Sequence, residues 1–163
     1  MGAVSWVTRS LDIGGAHYRE KHHKANATAQ ELAQEAHVSG HQVAKVVAIQ
    51  LDGRPLLVVL PASRMISLGR IKEISEARDV RLITESEMSL LFPDCEVGAI
   101  PPFRHWNGVE IWSDRTLGTE KEILFRGGTH ADAVLMPFQE WVSLVKPRVE
   151  DVSLIGDQGE LGS

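Results

Sequence analysis

Apolar and polar positions along this chain follow two periods in turn, and the switches between them mark the elements. Ala29, Leu32, Ala33 and Ala36 recur at helical spacing, and Thr28 with Glu31 three residues later forms a capping box. Gly40 closes that unit. Val43 to Leu51 is a β-branched apolar run, and Asp52-Gly53 is a hairpin-turn pair leading into Leu56–Leu60. A β-hairpin with one face heavily buried is expected. Leu68, Ile71 and Ile74 then predict a helix within 67–77, with Arg70, Lys72, Glu73 and Glu76 turned outward. Val80–Ile83 reads as a short strand. Thr84 and Glu87 make a second capping box, opening a helix through Met88, Leu90 and Leu91 that Pro93 stops. Beyond a stiff Gly98-to-Phe103 loop, Val109–Trp112, Glu122–Phe125 and Ala133–Met136 read as strands. Phe138–Val145 closes the series as a helix before Pro147.

Short turns between strands predict antiparallel pairing. The expected class is α+β: a single domain with a curved mixed or antiparallel sheet and surrounding helices. Residues 1–16 are polar, contain Gly14-Gly15, and are expected to be a flexible N-terminal segment. Residues 17–147 form the body. Residues 148–163 set Glu150, Asp151, Asp157 and Glu160 against Arg148 and show no apolar periodicity, so a loosely docked acidic tail is expected.

Composition narrows the function classes. The 163 residues suit one domain, and 43% hydrophobic content is enough to bury a core, which excludes disorder of the body. No apolar run approaches the roughly 20 residues of a spanning helix, and no cationic stretch precedes an apolar block at the start. No membrane association is expected, and a cytoplasmic location is. Cys95 is the single cysteine, so no internal disulfide and no CxxC site can form. The net charge of −5 argues against a broad nucleic-acid groove, which needs many cations to displace counterions. A small site gripping one or two phosphates remains compatible.

Three features could carry chemistry. Lys45 lies in an unbroken apolar run, where an ammonium must reach a rim, snorkel outward, or face a polar cavity. Gly98-Ala99-Ile100-Pro101-Pro102 combines close backbone approach at glycine with two residues that lack an N–H. It leaves the amides of Ala99 and Ile100 as the free donors, in either a ligand-holding loop or a plain connector. Gly127-Gly128 makes a turn that leaves His130 near a strand start. His17, His22 and His23 read as solvated rather than as a zinc site. Cys95 reads as a small buried group or, less simply, a nucleophile. The motifs GxGxxG, GxxxxGK[ST] and GxSxG are absent, which removes dinucleotide, P-loop and α/β-hydrolase readings.

The order of these features resembles the YbaK-type aminoacyl-tRNA deacylase family, which includes the editing domain inserted in bacterial prolyl-tRNA synthetases. The resemblance runs through the helix from Thr28, the strand holding Lys45, Leu57–Ala62, the helix from Ser67, Arg81–Glu87, Gly98–Phe103, the Gly127-Gly128 turn and the helix ending before Lys146-Pro147. It implies hydrolysis of the ester between a mischarged amino acid and the terminal adenosine of a tRNA. It implies no cofactor and no metal. Lys45 is implied as the catalytic-site lysine that holds the terminal nucleotide. Gly98, Ala99, Ile100, Pro101 and Pro102 are implied to cradle the aminoacyl end, with His130 beside them. Water is the implied nucleophile, positioned with help from a free ribose hydroxyl. The implied partner is the aminoacyl-tRNA 3′ end, in local contact only, with a synthetase as a possible further partner. Arg64, Arg70 and Lys72 either assist that contact or form a solvated helix face. A non-catalytic module of the same build, binding a nucleotide or a protein, is the alternative.

Overall fold

A computed structural model of the chain describes residues 4–22 and 28–155. Its elements in order are α1 (Ser5–Ile13), β1 (Arg19–His22), α2 (Ala29–Ala36), β2 (Ala44–Leu51), β3 (Arg54–Pro61) and β4 (Arg64–Ile66). Then come α3 (Leu68–Ser75), β5 (Val80–Leu82), α4 (Glu85–Leu91), β6 (Glu110–Asp114) and a 3₁₀ helix (Arg115–Thr119). The chain continues through β7 (Glu122–Arg126), β8 (Asp132–Pro137), α5 (Phe138–Val145), β9 (Arg148–Glu150) and β10 (Ser153–Ile155).

Local chemistry fixes many boundaries. Thr28 accepts from the Glu31 amide while the Glu31 carboxylate accepts from the Thr28 amide, and Thr84 and Glu87 repeat the arrangement. Both capping boxes therefore start helices where the sequence places them. Asp52 and Gly53 both have positive φ, 48° and 83°, as a two-residue hairpin turn with native twist requires. The Asp52 carboxylate further accepts from the Arg78 and Asp79 amides, tying the turn to the end of α3's loop.

The strands form a five-stranded sheet ordered β5-β2-β3-β6-β9, a three-stranded sheet ordered β1-β8-β7, and a β10-β4 pair. The pairings β3–β6 and β6–β9 are parallel, so the sheet is mixed rather than antiparallel throughout. Long crossovers through α3–α4 and through β7–α5 deliver β6 and β9, and such connections permit parallel pairing where short turns do not. β3 is buried on both faces rather than one. Leu57 and Val59 enter the core between the sheets, whereas Leu56, Val58 and Leu60 enter a second core under α3. A strand between two cores reads as a continuous apolar run, which is what Leu56–Leu60 is. The outer face of the three-stranded sheet is covered by Leu32 and Ala33 of α2, packed on Val43, Leu124 and Leu135.

Both chain ends depart from expectation. In place of a flexible segment, α1 puts Val7 and Leu11 into the main core at 0% exposure, and the Val4 amide donates to the Gly127 carbonyl at 2.8 Å. Val7 and Leu11 are four residues apart, so one narrow helical stripe suffices to dock an otherwise polar segment. The start of the acidic tail is docked as β9 and β10. Val152 is fully buried, its amide donates to the buried Asp114 carboxylate, and Arg70 binds Asp151 at 3.0 Å. Charge pairing with a distant helix, invisible to local periodicity, holds this segment. Replacing Leu11 with Ala should cost about 2–4 kcal/mol in urea unfolding, as for a buried leucine; a change below about 0.5 kcal/mol would mean that α1 is only loosely attached.

Candidate functional site

Among the described residues one backbone bridge joins the two larger sheets. Val43, just before β2, forms a parallel bridge with Leu124 of β7, and the Leu124 amide donates to the Gln42 carbonyl at 3.0 Å. Two residues beyond that bridge on each strand stand Lys45 and Arg126. Both line a small pocket of about 50 Å³, which is also bounded by Ala29 and Leu32 of α2 and by Gly98 and Ile100. Strand and loop residues separated by more than fifty positions thus converge because the sheets meet there.

Lys45 is half-buried, and that burial alone pushes its ammonium below the ordinary lysine range. Among the described residues it has neither a hydrogen bond nor an ion pair. Its strand face, not a rim, directs it into the pocket.

Of the Gly98–Pro102 loop, Gly98 and Ile100 face the pocket while Ala99, Pro101 and Pro102 are buried behind it. The Ala99 amide, expected to be free, donates to the Glu96 carbonyl at 3.0 Å. Among the described residues no acceptor meets the Ile100 amide, which is the donor left for a ligand. The loop is held from behind by side chains that the sequence reading did not single out. The Trp141 indole donates to the Pro102 carbonyl at 2.9 Å, and His105 Nε2 donates to the Pro101 carbonyl at 3.2 Å.

His130 lies behind Gly98 rather than on the pocket wall. Its amide donates to the Glu96 carboxylate at 2.6 Å and its Nε2 donates to the Val97 carbonyl at 2.8 Å. Its Nδ1 is buried and has no hydrogen-bond partner among the described residues. This histidine clamps the start of the loop from the β7–β8 turn. Arg126 was not foreseen either. It ends the apolar run Ile123–Phe125 immediately before Gly127-Gly128, the same anomaly of a cation in an apolar strand that marks Lys45.

Other candidates do not join the site. Cys95 has its thiol pushed up to about 12 by burial and by Asp94, which disfavours a thiolate. His17 pairs with Glu140 and His22 with Asp132, while His23 lies outside the described residues. Arg64 and Arg70 are engaged by Ser153 and Asp151. Among the described residues one trio, Asp94, Cys95 and His105, brings ligating atoms within 4.8 Å of one another. Its polar atoms are already occupied: the Trp6 indole and the Cys95 thiol donate to Asp94, and His105 donates to Pro101. A larger groove of about 380 Å³ runs between α1 and α5, lined by Trp6, Ile13 and Leu144, but its one charged group, Arg104, is bonded to the Val145 carbonyl. It lacks the convergent donors of the smaller pocket. No helix among the described residues is long and apolar enough to cross a membrane.

Residues 23–144 match the aminoacyl-tRNA editing domain, and the chain belongs to that family. The fold is shared with a crystal structure of a hypothetical protein, at a TM-score of 0.84 and 25% identity over 91% of this chain and 99% of that one. It is shared also with a candidate trans-editing enzyme for prolyl-tRNA synthetase, at a TM-score of 0.81 and 22% identity over 91% of this chain and 94% of that one. No curated protein matches the sequence.

Two outcomes follow for stability. Gly98 has φ +85°, where a side chain is strained even though a Cβ would meet only the His130 ring edge at 3.4 Å. Gly98→Ala should therefore cost about 1–2 kcal/mol of folding stability in urea titration; no measurable loss would mean that the loop adopts another backbone conformation. Because burial lowers the Lys45 pKa, the unfolded chain binds that proton more tightly, and stability rises with pH between the lowered value and the ordinary one. Lys45→Met should accordingly be at least as stable as the wild type at pH 7. A loss above about 1 kcal/mol would reveal a stabilising partner for the ammonium.

Proposed function

We propose that the protein is an aminoacyl-tRNA deacylase acting in trans, removing a mischarged amino acid from the 3′-terminal adenosine of a tRNA. The observation that carries this reading is that Lys45, whose ammonium has no partner among the described residues, and Ile100 line one pocket in a chain of the editing-domain family. Lys45 holds a phosphate of the terminal nucleotide, and Gly98 lets the backbone approach the aminoacyl group without a side chain between them. The Ile100 N–H is the donor we assign to the carbonyl oxygen, where negative charge develops. A water molecule adds to the carbonyl carbon, and the ester C–O bond to the ribose breaks. The proton passes to the departing ribose hydroxyl, leaving a free amino acid and an uncharged tRNA.

The reading needs no protein nucleophile. The raised thiol pKa of Cys95 agrees with that, because only a thiolate would attack efficiently. Action in trans is supported by the trans-editing candidate, most of whose own chain this protein spans. Net negative charge fits a contact confined to the 3′ end, where one or two phosphates are neutralised locally.

Purified protein assayed against a panel of mischarged tRNAs should release amino acid from at least one of them. Lys45→Ala should lower kcat/KM by at least about 100-fold, or ~2.7 kcal/mol of transition-state stabilisation, with its circular dichroism unchanged. Cys95→Ser should stay within about twofold of the wild type. An acyl group trapped on Cys95, or full turnover by Lys45→Ala, would contradict the mechanism.

A further inference from the structure

Asp94, Cys95 and His105 lie outside the pocket and stand on either side of the Gly98–Pro102 loop. Among the described residues theirs are the one set of three side chains whose ligating atoms come within 4.8 Å of one another. The bonds that occupy the trio in the free protein also prepare it for a cation. The Trp6 indole donates to Asp94 Oδ2 at 2.5 Å, and the Cys95 thiol donates to the other oxygen, Oδ1, at 3.5 Å. That thiol proton is the one a metal ion displaces to solvent when it forms a thiolate bond. A carbonyl can only accept, so the bond from His105 Nε2 to the Pro101 carbonyl leaves the ring lone pair on Nδ1. Burial holds this imidazole below its ordinary range, which keeps it neutral and able to ligate at pH 7. Trp6 and Phe92 pack edge-on against the ring, each with centroids 4.7 Å away, and fix its plane.

A carboxylate held by an indole and an imidazole held by a backbone carbonyl are ligands oriented by outer bonds, as metal centres require. A thiolate, an imidazole and a carboxylate together suit an ion of zinc-like softness, whereas magnesium and calcium take oxygen ligands. We propose that Asp94, Cys95 and the His105 imidazole bind one divalent ion of the zinc class, with water completing the coordination. The three residues are exposed or half-buried, which leaves the ion a path from solvent. Asp94 and Cys95 precede the loop and His105 follows it, so the ion closes the loop's base as a clip. This second site does not draw on the deacylase reading.

Titration of the full chain with Zn²⁺ and Co²⁺, started from chelator-treated protein, tests the site without turnover. Cys95 is the single cysteine, so thiolate-to-cobalt charge-transfer absorption reports on this site alone. The wild type should take up one Co²⁺ per chain with that absorption, and Zn²⁺ should displace it. Cys95→Ser should lose the absorption and weaken Zn²⁺ binding at least about 100-fold. Asp94→Asn and His105→Gln should each weaken it at least about tenfold. Asp94 is exposed, so its variant keeps the test decisive should His105→Gln fail to fold. The Ala99 and Phe103 amides, bonded to the Glu96 and Pro101 carbonyls, should exchange more slowly once Zn²⁺ is added. Absence of the cobalt–thiolate absorption overturns the proposal, as does equally tight Zn²⁺ binding by Cys95→Ser. Affinity unchanged in Asp94→Asn overturns it too, leaving only a reactive thiol, and unchanged amide exchange overturns the clip. A bound ion in a protein that hydrolyses no mischarged tRNA would remove the deacylase reading and leave the metal site standing.

Discussion

The junction at Val43 and Leu124 is the constraint on which the rest depends. Two sheets with separate outer cores meet there through a single parallel bridge, backed by the Ala62 amide bonded to the Val43 carbonyl. Just past the bridge the strands pair outward, Lys45 opposite Leu60 of β3 and Arg126 opposite Ala133 of β8. Lys45 and Arg126 occupy those positions and open into the gap, and α2 and the Gly98–Pro102 loop close it. Each side of the gap is braced independently, by capping at Thr28 and by the Trp141 and His105 bonds to the loop carbonyls. The pocket is thus a product of architecture before it is a product of individual residues.

What this architecture supplies is positioning and charge, not a reactive group. The thiol nearby is held protonated, and the histidine beside the loop spends its Nε2 on a backbone carbonyl. Ester hydrolysis with water tolerates such a site, because the ester is already activated and the principal needs are orientation and stabilisation of the oxyanion. On the proposed reading, cations withdrawn from water are costly in a free pocket and become favourable once an anion enters, so binding energy from a phosphate would be available to orient the ester.

Much of the fold was legible from sequence because its signals are local. Capping boxes at Thr28 and Thr84, the Asp52-Gly53 turn and the helix from Phe138 all lie where pattern and turn chemistry place them. The docked ends were not legible, since Val7 with Leu11 and the Arg70–Asp151 pair act through tertiary neighbours. Within the candidate site, Lys45 announced itself as a charge among apolar residues, whereas Arg126 carried the same signal at a strand end, where arginine is unremarked. The Ala99 amide illustrates the remaining limit. Proline spacing identifies which donors exist, but only the folded loop reveals that one of them is already bonded to Glu96.

The central claim is that the aminoacyl end of a tRNA enters the pocket at the sheet junction. The most direct measurement is an NMR titration with a non-hydrolysable aminoacyl-adenosine 5′-phosphate analogue in which an amide replaces the ester. Backbone shifts should be largest at Leu32, Lys45, Gly98, Ile100 and Arg126, the residues that line the junction. Shifts centred instead on Trp6 and Leu144, in the groove between α1 and α5, would contradict the account.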